Sequence, residues 1–240
     1  MKQFLVCCLT LSLVSSAFSE EVPSLQAEID AQKAKSRANA APEKMKAYAE
    51  GIDAVAESGI VQKALAKGGM APDFTLMDAK GEEVTLSKEL EKGLVVLTWY
   101  RGGWCPYCNI QLAAYQRILP QIEELGGQLI AVSPELPDKS LSTTEKNGLR
   151  FRVLSDQNLE VARDYALVFE LTPEVAEIYG NFFSMKKYNG ADAKDNELPL
   201  AATYVIGQDG TVAYAFAEAD YTLRAEPAEI LAALDELRGE

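Results

Sequence analysis

The chain has 240 residues, 48% of them hydrophobic and 25% charged, the composition of an ordinary folded protein long enough to bury a sizeable core. Its formal net charge of −13 argues against nucleic acid and anionic membrane surfaces as partners. It contains no histidine, which removes Ser-His-Asp hydrolases, Cys-His proteases and His-ligated metals together.

In chain order, the first element is a targeting pattern. Lys2 precedes an apolar run from Phe4 to Val14, and small residues ending Ala17-Phe18-Ser19 stand before Glu20. This three-part arrangement is that of a secretory signal peptide over residues 1–19, too short to span a membrane. The protein is therefore expected to be exported, to a periplasmic or extracellular setting, with no membrane span left after processing. Cys7 and Cys8 lie too early in the run for a lipoprotein site. Of the four cysteines, Cys105 and Cys108 remain in the mature chain, in a compartment where disulfides persist.

Residues 20–68 are rich in Ala, Lys, Glu and Gln, with Leu25, Ile29, Ile52, Val55, Ile60, Val61 and Leu65 spaced for amphipathic helices and a break near Ala41-Pro42. Two or three helices are predicted as an N-terminal extension, either covering the chain's own core or serving as a dimerisation or partner arm. The composition shifts at Gly68-Gly69. From there to residue 240, short β-rich runs alternate with helical ones. Phe74–Met77 and Glu83–Leu86 read as a hairpin around Asp78-Ala79-Lys80-Gly81. Leu94–Tyr100 reads as a buried central strand, and the helix after it places Cys108, Leu112, Tyr115 and Leu119 on one face.

Between that strand and helix lies Trp104-Cys105-Pro106-Tyr107-Cys108. Cys105 falls in the first turn, where unpaired N–H groups and the helix dipole favour a thiolate. Lowering a thiol from about 8.5 to about 6.5 raises its thiolate fraction at pH 7 from about 3% to about 75%. Cys108, one turn on, is placed to resolve a mixed disulfide. As a structural staple the pair is poor, since a ring of about four residues contributes about 2 kcal/mol against about 4.7 for a hundred-residue loop. Half a zinc site would need further ligands, and the chain has no histidine and no second cysteine pair in its mature part. The dithiol is therefore read as redox-active, with no metal or organic cofactor.

Further on, Gln128–Ser133 is read as a strand, Asp138–Lys146 as a helix, Phe151–Leu154 as a strand and Asn158–Tyr165 as a helix. Thr203–Ile206 and Thr211–Tyr214 form a hairpin turning at Asp209-Gly210, and Pro227–Arg238 is a closing helix. The alternation implies an α/β sheet with the dithiol at a strand–helix junction, where such sheets put their sites. The segment between Tyr165 and Pro199 exceeds what the alternation needs. Its apolar half, with Phe169, Leu171, Tyr179, Phe182, Phe183, Met185 and Tyr188, is expected to pack as helix on the core. Its polar half, Asn189–Asn196, is expected to rim the site.

Ala71-Pro72-Asp73-Phe74-Thr75-Leu76, Tyr100-Arg101-Gly102-Gly103-Trp104-Cys105-Pro106-Tyr107-Cys108-Asn109, Ala131-Val132-Ser133-Pro134-Glu135, Val153-Leu154-Ser155-Asp156 and Ala202-Thr203-Tyr204-Val205-Ile206 occur in that order. On these residues, the chain from Gly69 to its end resembles the redoxin superfamily, specifically its peroxiredoxin-like branch, the alkyl hydroperoxide reductase/thiol-specific antioxidant proteins. The resemblance implies a thioredoxin-like α/β fold. It also implies an antioxidant oxidoreductase that reduces peroxide through a Cys105/Cys108 dithiol–disulfide cycle, reopened by a thiol reductant such as a thioredoxin-like protein. A thiol:disulfide oxidoreductase acting on protein disulfides, or a slow redox switch, are the alternatives.

The departures from the family pattern set the open questions. The peroxiredoxin pattern Pro-x-x-x-Thr-x-x-Cys, laid on this stretch without gaps, puts Arg101 at the Pro, Cys105 at the Thr and Cys108 at the attacking Cys. Thioredoxins, by contrast, resemble Trp104-Cys105-x-x-Cys108 with Cys105 attacking. A second family helper, an Arg before a later strand, falls near Leu200-Ala201-Ala202, where no Arg stands. Arg101 then either supplies positive charge to the thiolate or is a structural surface residue. With helpers missing, peroxide attack is expected to be slower by about 10²–10³ per lost donor. The Pro that thioredoxins hold in cis before a Thr is Ala202 before Thr203 here, with Pro199 three residues early. Thr203 is expected to line the site with Trp104, Pro106 and Tyr107.

Overall fold

The computed structural model describes residues 24–239, so the expected signal peptide at 1–19, with Cys7 and Cys8, lies outside the described residues. Three helices come first: α1 (Leu25–Ala38), α2 (Pro42–Glu57) and α3 (Ile60–Lys63). A hairpin of β1 (Thr75–Asp78) and β2 (Glu83–Thr85) leads through α4 (Leu86–Leu90) to β3 (Leu94–Trp99). Next come α5 (Pro106–Glu124), β4 (Gly127–Ser133), α6 (Pro137–Asn147) and β5 (Arg152–Ser155). After α7 (Glu160–Asp164) an insert holds β6 (Val168–Glu170), α8 (Pro173–Phe182), α9 (Met185–Asn189) and β7 (Glu197–Pro199). The hairpin β8 (Thr203–Ile206) and β9 (Val212–Phe216) and the helix α10 (Pro227–Arg238) close the chain.

Seven strands form one sheet in the order β2-β1-β5-β4-β3-β8-β9. β3 runs parallel to β4, and β4 to β5; β8 runs antiparallel to β3, with Thr98 opposite Thr203. This is a thioredoxin-like α/β arrangement, with the apolar run of β3 at the inner position that buries both faces. Side chains alternate across β3: Val96 and Tyr100 face the core under α5, α1 and α10, while Val95, Leu97 and Trp99 face the opposite core with Tyr165 and Tyr204. By that alternation Thr98 and its partner Thr203 point toward α5. The apolar face read for this helix is the buried one, since Cys108, Leu112, Tyr115 and Leu119 are all buried.

Two expected elements come out differently. The helix read over Asn158–Tyr165 is broken, because Asn158 and Leu159 take φ values of 67° and 61°, leaving a 3-10 turn over Gln157–Leu159 and the single turn α7. The Tyr165–Pro199 segment contains a two-stranded sheet, β6 with β7, in which Pro199 opposes Val168 at the end of the pairing. Of its apolar half, α8 and α9 pack through Val175, Tyr179 and Met185, whereas Phe169 stands in β6 and Phe182 is exposed. The polar run Asn189–Asn196 does not rim the dithiol; residues Asn189, Asp192, Ala193 and Lys194 border a separate cavity of about 160 Å³ with Pro134 and Arg163.

The first helix packs along α5, with Leu25 and Ile29 fully buried in the same core as Leu112 and Tyr115. Its N-terminus is fastened to the loop before α10: the Glu226 carboxylate accepts from the N–H groups of Leu25 at 2.9 Å and Gln26 at 2.8 Å. These are two of the orphan donors that every helix start presents, and the anion also suits the positive end of the dipole. Lys33 donates to Thr222 at 2.8 Å and pairs with Asp220 in the same loop. The second helix crosses α8 at Gly51, where a Cβ would stand 2.9 Å from Val175 Cγ2.

Candidate active site

Cys105 is the N-cap residue of α5, with extended backbone, and Pro106 takes the first helical position, where its missing N–H costs nothing. Both thiols are free and fully buried. The loop in front of them is tied down from two sides. Asn109 Nδ2 donates to the carbonyls of Gly103 at 2.8 Å and Cys105 at 3.0 Å. Glu135, buried at the end of β4, accepts from Gly103 N–H at 3.0 Å, Tyr100 Oη at 3.1 Å and Thr143 Oγ1 at 3.3 Å. Burial pushes the Glu135 carboxyl above its ordinary range, against the lowering effect of those hydrogen bonds. At Gly103 a side chain has no room, since a Cβ would lie 2.1 Å from Thr143 Oγ1.

Two guanidinium groups reach the two sulfurs. Arg101 is 3% exposed, so it is not a surface residue; its Nη2 lies 3.5 Å from Cys105 Sγ, and its Nη1 donates to Tyr179 Oη at 3.2 Å. Its Cζ also lies over the Tyr221 ring, 4.2 Å from the centroid. Arg224, likewise 3% exposed, places Nη2 3.6 Å from Cys108 Sγ. Arg224 Nε donates to Gln111 Oε1 at 2.7 Å, and its Nη1 is held by the carbonyls of Tyr221 and Leu223. Gln111 Nε2 donates in turn to Thr98 Oγ1 at 3.0 Å, which is 2.9 Å from Thr203 Oγ1. A continuous polar chain thus runs from Thr203 through Thr98, Gln111 and Arg224 to Cys108.

The electrostatics separate the two thiols. Burial alone would push Cys105 up, but a hydrogen bond from Cys108 and the charges of Arg101 and Arg224 outweigh it, holding this thiol well below the usual range. Burial, and the hydrogen bond that Cys108 gives to Cys105, drive Cys108 well above that range. The arrangement therefore favours ionisation of Cys105 over Cys108, the order that a nucleophile and its resolving partner require.

Among the expected site residues, Arg101, Trp104, Pro106 and Tyr107 line a groove of about 760 Å³ that runs between the start of α5, the α1–α2 elbow and α8. Thr203 does not line it: it is fully buried beneath α5, bonded to Thr98 and within 3.3 Å of Tyr115 Oη, and meets the dithiol only through the polar chain. No Arg stands near Ala201, as the sequence shows, and the second Arg at the dithiol is Arg224, which enters from the loop after β9. No sequence pattern marks Arg224, because 116 residues separate it from Cys108. Tyr179, expected in the core, and Tyr221 hold Arg101 on either side. Glu135 and Asn109 stood in the quoted motifs without a role.

The profile described as the AhpC/TSA family matches residues 68–215. Among characterised proteins, chloroplastic peroxiredoxin Q of Triticum aestivum is 27% identical over 161 residues, covering 67% of this chain and 63% of that protein. Peroxiredoxin Bcp of Escherichia coli strain K12 is 24% identical over 152 residues, covering 63% of this chain and 85% of that one. Thiol-disulfide oxidoreductase ResA of Geobacillus kaustophilus is 33% identical over 103 residues, covering 42% and 58%. The chain spans about three-fifths of the length of the first curated relatives it matches. Of solved structures, peroxidoxin BcpB from Mycobacterium tuberculosis superposes with a TM-score of 0.56 at 20% identity, over 72% of this chain and 98% of that one. The likeness to that structure shows the fold.

Proposed function

Because the chain belongs to the AhpC/TSA family, we propose that it is a thiol-dependent peroxidase in which Cys105 attacks and Cys108 resolves. The observation that carries this reading is the pair of buried guanidinium groups, Arg101 at Cys105 and Arg224 at Cys108. The Cys105 thiolate attacks one peroxide oxygen and the O–O bond breaks. The departing alkoxide or hydroxide takes up a proton and leaves as alcohol or water, and Cys105 is left as a sulfenic acid. The Cys108 thiol then displaces hydroxide from that sulfur, water leaves and the Cys105–Cys108 disulfide closes. A dithiol reductant of the thioredoxin type reopens it by exchange.

Arg101 and Arg224 stabilise the thiolate and the charge that develops on the departing oxygen, which is the largest contribution such a site makes. With Arg224 standing in for the Arg missing near Ala201, the expected deficit shrinks to that of the missing Thr hydroxyl, about 10²–10³ in rate. Gln111 is a positioning residue, fixing Arg224 through Nε. The reading includes export, resting on the three-part pattern of residues 1–19 and on a lone dithiol in the mature chain.

The likeness to ResA, a thiol-disulfide oxidoreductase, favours protein disulfides as a second reading. The two are separated by initial rates of the reduced protein with hydrogen peroxide and an organic hydroperoxide, beside insulin disulfide reduction. Peroxide consumption that tracks loss of two thiols is expected; insulin reduction with inert peroxide would give the second reading.

A further inference from the structure

We propose that the cavity of about 160 Å³ between α7, α9 and β7 binds a small zwitterion of the α-amino acid class. It shares no lining residue with the groove at the start of α5. Its volume exceeds the roughly 30 Å³ share of one water and falls below the roughly 300–1,000 Å³ of drug-sized sites, which leaves room for a molecule of a few heavy atoms. One acceptor there is unmet. Asn189, 4% exposed at the end of α9, lines the cavity, and its buried Oδ1 has no partner among the described residues. Buried polar atoms are nearly always paired, so an N–H or O–H donor belongs opposite this oxygen.

Charge selects the class of that donor. The buried Glu197 carboxylate of β7 is held by Arg163 and by Lys194, the latter at 2.7 Å, so these three groups carry one net positive charge. Asp192 borders the same cavity and forms no ion pair among the described residues; of the nearby lysines, Lys186 engages Asp195 and Lys194 engages Glu197. The lining is thus neutral overall, with both signs present, which a zwitterion matches. Its ammonium meets Asn189 Oδ1 and Asp192, and its carboxylate takes the N–H donors that Arg163 and Lys194 have to spare. A lone metal ion is disfavoured by the two cations on the lining, and a simple anion leaves Asn189 Oδ1 unmet. Leu159, Pro134 and Ala193 supply an apolar patch for a short side chain. Asn158 and Leu159 hold left-handed backbone where they border the cavity, a conformation of the kind found at ligand clamps. The site uses no residue of the dithiol centre and stands whether or not the protein reduces peroxides.

Calorimetry on the reduced full chain tests it by comparing L-alanine with glycine betaine, propionate and ethylamine. Alanine is expected to bind about tenfold or more above each of the others: betaine has no N–H for Asn189, propionate has no ammonium and ethylamine no carboxylate. Asn189→Ala is expected to weaken alanine about tenfold or more. Asp192→Asn, at an exposed position that folding does not depend on, is expected to weaken it about threefold. In proton–nitrogen correlation spectra alanine is expected to shift the amides of residues 158–159 and 189–197. No alanine binding, betaine binding equal to alanine, unchanged affinity in either folded variant, or shifts confined to other residues would each overturn the proposal. So would a crystal grown with saturating alanine in which the cavity holds ordered water only. Alanine binding beside inert peroxides contradicts the peroxidase reading alone, and peroxide turnover without alanine binding contradicts this site alone.

Discussion

The two sulfurs differ although they sit one helical turn apart. Cys105 stands outside the helix as its N-cap and meets Arg101, whereas Cys108 lies inside the first turn and meets Arg224. A folded-state thiol held below its unfolded value of about 8.5 is the nucleophile wherever the pH exceeds its folded pKa. The iodoacetamide rate of Cys105 should therefore be flat above a midpoint below the ordinary thiol range and fall as pH drops through it. By the same linkage, the stability this ionisation contributes is present above the unfolded pKa and lost as pH falls through the folded one. Arg101→Ala removes the neighbouring cation, and the midpoint is expected to rise; an unmoved midpoint would return Arg101 to packing. Arg224→Ala removes the second cation that lowers the Cys105 thiol, so it too is expected to raise that midpoint and to slow peroxide consumption. Arg101, Trp104, Pro106 and Tyr107 were legible because they are contiguous with the dithiol. Arg224 was not, because only the closing of the sheet brings the loop after β9 over α5.

The first helix acts as a strut for that loop. Glu226 caps it, Lys33 reaches Asp220 and Thr222, and between those anchors lie Tyr221 and Arg224, the groups that touch Arg101 and Cys108. Glu226→Ala is expected to cost about 1 kcal/mol through the lost cap and to speed amide hydrogen exchange over residues 220–226. Exchange unchanged in that loop would mean that α1 merely covers the core. Ile29→Ala, at a fully buried position under α5, is expected to cost about 2–5 kcal/mol in denaturant unfolding. The alternation of runs made most elements legible, including the break at Ala41-Pro42, which became the α1–α2 elbow. The broken helix at Asn158–Leu159 was not, because left-handed backbone there carries no glycine to announce it. Nor was the β6–β7 pairing, whose three-residue strands are too short to show a period.

At the scale of the molecule, the residues matched to the family run from 68 to 215, yet α1, α2, Tyr221 and Arg224 all lie outside them. The family core supplies the sheet and the dithiol; the flanking segments supply the second guanidinium and one wall of the groove. On oxidation the protein is expected to lose two titratable thiols and form one intramolecular disulfide, seen by mass spectrometry. A dimer cross-linked through Cys108 would contradict the pairing. Cys105 is proposed as the thiolate that attacks peroxide. It is tested most directly by single-turnover stopped-flow of the reduced Cys105→Ser and Cys108→Ser variants with hydroperoxide, followed by dimedone trapping. Cys108→Ser is expected to react once and accumulate sulfenic acid on Cys105, while Cys105→Ser is expected to be inert. A reactive Cys105→Ser with sulfenic acid on Cys108, beside an inert Cys108→Ser, would contradict it.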